Sequence, residues 1–170
     1  EESNQQFKVC IERMVTLLIG GLQNPGATTR QLEDILDMIV VITNQFSKES
    51  LGENRGFSNN PPGSQILEVG EIFAQVLVQH IFPIANQLLI AHYQVENLIE
   101  RVTRFMKFMI RTFPRTFQDK VPVYGDMLMR VFNQKEHGAI LHSTEILIEQ
   151  YGNANIAGRN QQLEDYLVNL

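Results

Sequence analysis

The chain has 170 residues, 44% of them hydrophobic and 19% charged, enough apolar material for one packed domain and far from a disordered composition. Its formal charge of −5 excludes a general nucleic-acid coat, which needs many cations, but leaves room for one local basic patch. The single cysteine, Cys10, excludes an internal disulfide and suits a reducing compartment; no apolar run reaches the ~18–20 residues of a membrane span, and no signal-peptide pattern is present.

From the start of the chain the structured positions follow a helical period. EESNQQ carries no initiator Met, and the first helix is expected over about 5–22, with Phe7, Cys10, Ile11, Met14, Leu17 and Leu18 on one face. GLQNPGATT then supplies a stop, a Pro-Gly turn and a Thr cap. The second helix, about 30–47, is expected to bury Leu32, Ile35, Leu36, Ile39, Ile42 and Phe46. Residues 47–64, SKESLGENRGFSNNPPGS, are rich in Gly, Asn, Ser and Pro and read as a long flexible loop. Helix resumes near Gln65 and runs to about Tyr93, with Pro83 kinking or splitting it. Helices follow at about 95–113, 117–133, 137–151 and 157–170. The last, ending QLEDYLVNL, reads as a helix still in progress, so the sequence is expected to be a piece of a longer chain.

FPIANQLLI at 82–90 and VPVYGDMLM at 121–129 superimpose at an offset of 39, Pro on Pro and apolar on apolar. Each precedes a polar turn and an amphipathic helix. That period fits stacked antiparallel helix pairs of the HEAT or armadillo kind. The expected fold is therefore all-α, a superhelical solenoid. Its helix pairs lie over about 5–47, 65–113 and 117–151, with the first helix of a further pair at 157–170.

The residues offer little to catalysis. His80, His92, His137 and His142 show no metal-ligand spacing, and His137 and His142, five apart, do not share a helical face. Cys10 lies in the apolar stripe and reads as a packed core thiol rather than a nucleophile. The glycines of GENRG and NIAGRN lack the strand–turn–helix setting of a phosphate loop. Glu33, Asp34 and Asp37 read as a solvated helix face. The expectation is a protein that is not an enzyme and that holds no metal or cofactor.

RVTRFMKFMIR at 101–111 stands apart. With Arg115 it gathers five of the 14 basic residues, and no acid occurs between Glu100 and Asp119. On the 95–113 helix, Val95, Leu98, Ile99, Val102, Phe105, Met106, Met109, Ile110 and Phe113 share the core side. Arg104, Lys107 and Arg111 project opposite, within roughly 60° of one another, and Arg101 lies about 60° further round. Phe108 falls among the charges. Cations at i,i+3 and i,i+4 repel. A solvated face would mix signs, so the row is built to meet an anion unless neighbours such as Glu145 and Glu149 neutralise it. Arg forks suit phosphate and carboxylate, and the second helix of a solenoid pair lines the groove in which extended partners bind.

HIFPIANQLLIAHYQVENLIERVTRFMKFMIRTF, followed by HSTEILIEQYG, resembles the later HEAT repeats of the karyopherin-β nuclear transport receptors, above all the transportin-SR branch and its sister importin thirteen. The match is good from about 65 to 152 and loose over 5–48, and it is absent in the 47–64 loop. It implies a C-terminal-half segment of an import receptor shuttling between cytoplasm and nucleus. Its partners would be protein cargo such as SR-type splicing factors or other RNA-binding proteins, together with nucleoporins, and Ran-GTP through repeats absent from this sequence. No membrane and no direct nucleic-acid partner is expected. The resemblance makes Arg101, Arg104, Lys107 and Arg111 the cargo-binding residues, for phosphorylated Arg-Ser or acidic segments. Lys107 departs from the family pattern, which has Arg there, and so loses a fork. A sister karyopherin carrying folded cargo and a plain α-solenoid scaffold are the alternative readings, with nucleic-acid binding weaker still.

Overall fold

A computed structural model of the chain describes residues 2–44 and 64–152. The 47–64 loop (all but Ser64), the helix expected at 157–170 and Phe46 lie outside the described residues. Helix α1 spans Glu2–Leu22 and α2 spans Thr29–Asn44. Helix α3, Ser64–Val76, runs through a π-helical turn at Leu77–Ile81 into α4, Phe82–Ala91. Then come α5 (Glu96–Thr112), α6 (Pro114–Phe117), a 3-10 turn at Gln118–Lys120, α7 (Val121–Gln134) and α8 (Gly138–Tyr151). Among the described residues there is no strand.

Local chemistry explains most of the boundaries. After α1, the Asn24 side chain accepts the Gly26 N–H at 2.9 Å and closes the Pro-Gly turn. Thr28 and Gln31 then exchange hydrogen bonds: the Thr28 hydroxyl accepts the Gln31 N–H at 3.3 Å, and the Gln31 side chain accepts the Thr28 N–H at 2.9 Å. That reciprocal pair is a capping box. Pro83 has no N–H to donate back into the helix. The chain absorbs the gap just before it, where the Phe82 N–H reaches the Leu77 carbonyl in a wider, π-type bond. Pro122, 39 residues later, stands in the opening turn of α7, where a missing donor costs nothing; Pro83 relies instead on the π-helical turn that feeds α4.

The helices form two layers. In one, α1 packs on α3, and α4 packs on α7; in the other, α5 lies between α2 and α8. Antiparallel partners α1–α2, α4–α5 and α7–α8 tie the layers together, and α2 against α5 is the most extensive interface. This stacking of each pair on its neighbours is a solenoid, whose core is continuous from Ile11 to Tyr151. The stretch Gly70–Ala91 is long and apolar enough, by length and composition, to cross a membrane, but most of its apolar part is buried inside the fold. Glu71, Gln75, Gln79 and His80 interrupt the stretch, so it holds no unbroken apolar run of span length.

Two core assignments shift. On α1 the buried stripe is Ile11, Val15, Leu18 and Leu22, at intervals of four, three and four. Leu17 and Cys10 stand one residue off that line, about 100° round, so Leu17 is 78% exposed and the Cys10 thiol is exposed rather than packed. On α2, Leu32, Leu36 and Ile39 are buried with Val40 and Thr43, whereas Ile35 and Ile42 are only half-buried. The hydroxyl of Thr43 is spent on the Ile39 carbonyl at 2.8 Å, which lets it enter the core.

Between the stacked pairs sits an aromatic cluster. Phe82, Phe117 and Tyr124 meet edge to face with centroids 5.3–6.5 Å apart. Tyr124 is fully buried and its hydroxyl closes no hydrogen bond, whereas the Tyr151 hydroxyl donates to the Pro114 carbonyl at 2.9 Å. Burial pushes both phenols well above the ordinary value of 10.0; the Ser143 hydroxyl, near Tyr124 but donated to the Ala139 carbonyl at 2.9 Å, opposes the rise there without closing a bond to the phenol. The fold thus holds the neutral phenols. The stability linked to them is complete below about pH 10 and falls as pH rises beyond it.

In urea denaturation, Tyr151→Phe is expected to lose about 1 kcal/mol with its hydrogen bond, while Tyr124→Phe should be neutral or slightly stabilising, since no bond is broken. Both variants should lose less stability than the parent between pH 9 and 11.

Candidate functional site

The site is built on α5, the middle helix of its layer. Leu98, Ile99, Val102, Thr103, Phe105, Met106, Met109 and Ile110 are all buried, which fixes the helix about its own axis. Val95 and Phe113, at its two ends, also pack toward the core. Thr103 was not expected among them. Its hydroxyl donates to the Ile99 carbonyl at 2.9 Å, so a polar residue sits in the apolar arc without an orphan group. Phe108 was expected among the charges, but it is half-buried and packs against the core cluster.

With that arc buried, Arg101, Arg104, Lys107 and Arg111 are left along the outer side. Arg101, Arg104 and Lys107 line a groove of about 400 Å³ between α5 and α8. Its other wall is Gly138, Ala139, His142, Ser143 and Ile146, and Glu100 and Thr103 complete it. Arg111 lies beyond the groove. Arg115 is exposed on α6.

Neighbouring helices neutralise the row only in part. One carboxylate oxygen of Asp37, on α2, lies 3.4 Å from Arg101 Nη1 and 3.8 Å from Arg104 Nη1. Glu149, on α8, approaches Arg111 Nη2 at 4.0 Å. All of these side chains are more than a third exposed. A charge-assisted Arg–carboxylate bond closes at about 2.7–2.9 Å, so these are loose approaches across water-accessible surface, worth at most about 1 kcal/mol each. Glu145, the other acid named from the sequence, is turned to His142, whose Nδ1 lies 3.1 Å away. Among the described residues Lys107 pairs with no carboxylate. Among the described residues the four cations thus face two carboxylates from neighbouring helices, with Glu100 of α5 itself in the groove lining.

Asp37 is the residue that sequence reasoning missed. On α2 it reads as solvated surface, and only the packing of α2 on α5 brings it to the arginines. His137 is a second case. It is buried in the turn before α8, and its Nε2–H donates to the Tyr93 carbonyl at 2.6 Å, tying that turn to the one before α5. Among the described residues no three His, Cys, Asp or Glu side chains converge as a metal site requires.

Residues 74–168, more than half of the chain, match the family described as the Transportin-3/Importin-13 fourth TPR domain. The chain belongs to that family. It is a helical-repeat domain of the karyopherin-β transport receptors, from the transportin-SR and importin thirteen branch, and that family is no enzyme class. The description names tetratricopeptide units. The offset of 39 residues between Pro83 and Pro122 lies nearer the ~40 of HEAT and armadillo units than the ~34 of tetratricopeptide units. No curated protein and no solved structure matches the chain.

Because the row's ion pairs are long and exposed, Arg104→Ala, Lys107→Ala and Arg111→Ala are each expected to change the unfolding free energy by less than about 0.5 kcal/mol. Urea denaturation monitored by circular dichroism measures this; a loss several times larger would make the row part of the scaffold.

Proposed function

We propose that this domain serves a nuclear import receptor by holding cargo on α5, with Arg101, Arg104, Lys107 and Arg111 gripping phosphorylated Arg-Ser or acidic segments. The observation that carries the reading is the α5–α8 groove, lined by three cations of the row and open to solvent. An extended peptide laid along α5 passes Arg101, Arg104, Lys107 and Arg111 in turn, about one helical turn apart. Successive phosphates or carboxylates can therefore meet successive cations. The arginines offer planar forks for phosphate oxygens, and Lys107 supplies a compact charge that accepts either anion. Membership of the family supports a shuttling receptor with protein cargo. SR-type splicing factors and other RNA-binding proteins are the proposed cargo. Release would follow Ran-GTP binding to other repeats of the receptor, and nucleoporins would carry the loaded receptor through the pore.

The scaffold alternative draws on the contacts of Arg101, Arg104 and Arg111 with Asp37 and Glu149. Their distances of 3.4–4.0 Å favour an interrupted, displaceable pairing over a closed network.

Titration of the protein with a serine-phosphorylated Arg-Ser peptide at moderate salt is the direct test. Each of Arg104→Ala, Lys107→Ala and Arg111→Ala is expected to weaken binding by about three- to tenfold, and affinity should fall as salt rises. Unchanged affinity in all three variants, or affinity indifferent to salt, would sink the assignment.

A further inference from the structure

We infer that Asp37 is a built-in counter-anion that sets the charge threshold of the α5 site, so that dianionic phosphate displaces it and single carboxylates compete with it only weakly. The inference rests on the reading of the row as a peptide site and concerns its selectivity.

Asp37 shares a single oxygen between two guanidiniums, Arg101 at 3.4 Å and Arg104 at 3.8 Å, and closes a hydrogen bond to neither. The forks are therefore oriented by charge but not filled, and their N–H donors stay available. A ligand that engages them as a pair must push the Asp37 carboxylate aside. If the incoming group is another carboxylate, one single negative charge replaces another and the electrostatic gain nearly cancels. A phosphoserine brings a charge of about −1.5 to −2 and three acceptor oxygens, so the same exchange leaves a net gain. Asp37 thus favours phosphate without touching it.

The neighbourhood fits that role. Lys107 has no carboxylate partner among the described residues, so it attracts any anion and discriminates poorly. His142, on the far wall of the groove, is already engaged by Glu145. Discrimination then falls to the Arg101–Arg104 end, where Asp37 sits. At 38% exposure the Asp37 side chain can swing into water when displaced, which keeps the exchange fast and the carboxylate solvated.

The test compares two peptides of the same Arg-Ser sequence, one phosphorylated on serine and one with Glu at those serines, by isothermal titration with the protein and with Asp37→Asn. The variant is expected to bind both peptides more tightly, the Glu peptide by about three- to fivefold and the phosphopeptide by less, so that the preference for phosphate narrows. Asp37→Glu, which restores the charge, should restore the preference, and a folded Asp37→Glu guards against a packing effect of Asn. Affinities that stay the same or fall in Asp37→Asn, while Lys107→Ala still weakens binding in the Asp37 background, would overturn the threshold and leave the peptide site standing. Binding indifferent to both Asp37→Asn and Lys107→Ala would remove the site and the threshold together.

Discussion

Everything at the site depends on the burial of α5 between α2 and α8. A helix with neighbours on two sides and a partner beneath must be apolar around most of its circumference. Eight of its 17 residues are buried, from Leu98 to Ile110. Burying that many large side chains is worth far more than any surface ion pair, so packing alone decides how the helix is rotated. Positions 101, 104, 107 and 111 are the outward line left over. Their direction is dictated by Phe105, Met106, Met109 and Ile110, and their chemistry is free to vary without cost to the fold.

That separation explains what was legible. The helical period, the Pro-Gly turn, the Thr28 cap and the twin prolines at 83 and 122 are local signals, and each is realised where the sequence puts it. The core face of α5 was legible for the same reason, since nine apolar residues at helical spacing admit one rotation. On α1 the pattern was ambiguous, because apolar residues flank the buried line on both sides. Only packing against α2 and α3 selects Ile11, Val15, Leu18 and Leu22 over Leu17 and Cys10. The row's partners were the least legible part. Glu149 lies on a helix at a readable period from α5, whereas Asp37 lies more than sixty residues upstream and across a segment with no pattern to count through. His137 was hidden likewise, since a buried histidine bonded to a distant carbonyl leaves no trace in spacing.

The helix dipole accounts for little of the charge. Glu96 in the first turn and Arg111 in the last complement the macrodipole of α5, but that effect fades within one turn of each end. Arg101 and Arg104 stand in mid-helix, where the dipole gives a cation no advantage. Their placement needs another cause.

Elsewhere the chain neutralises a cation locally. On α7, Arg130 closes on Asp126 at 2.9 Å, one turn away on the same helix. That pair is local, short and independent of how the helices stack. On α5 no such ion pair forms, although Glu100 stands four residues before Arg104, and the acids that do approach come from α2 and α8 at 3.4–4.0 Å. An acid on the same helix neutralises a charge wherever the helix goes. An acid on the neighbouring repeat holds it at a distance set by the stacking of repeats, so a small shear between α2 and α5 alters how much positive charge α5 presents. How far the row's charge is offset therefore depends on how the repeats stack, and not on α5 alone.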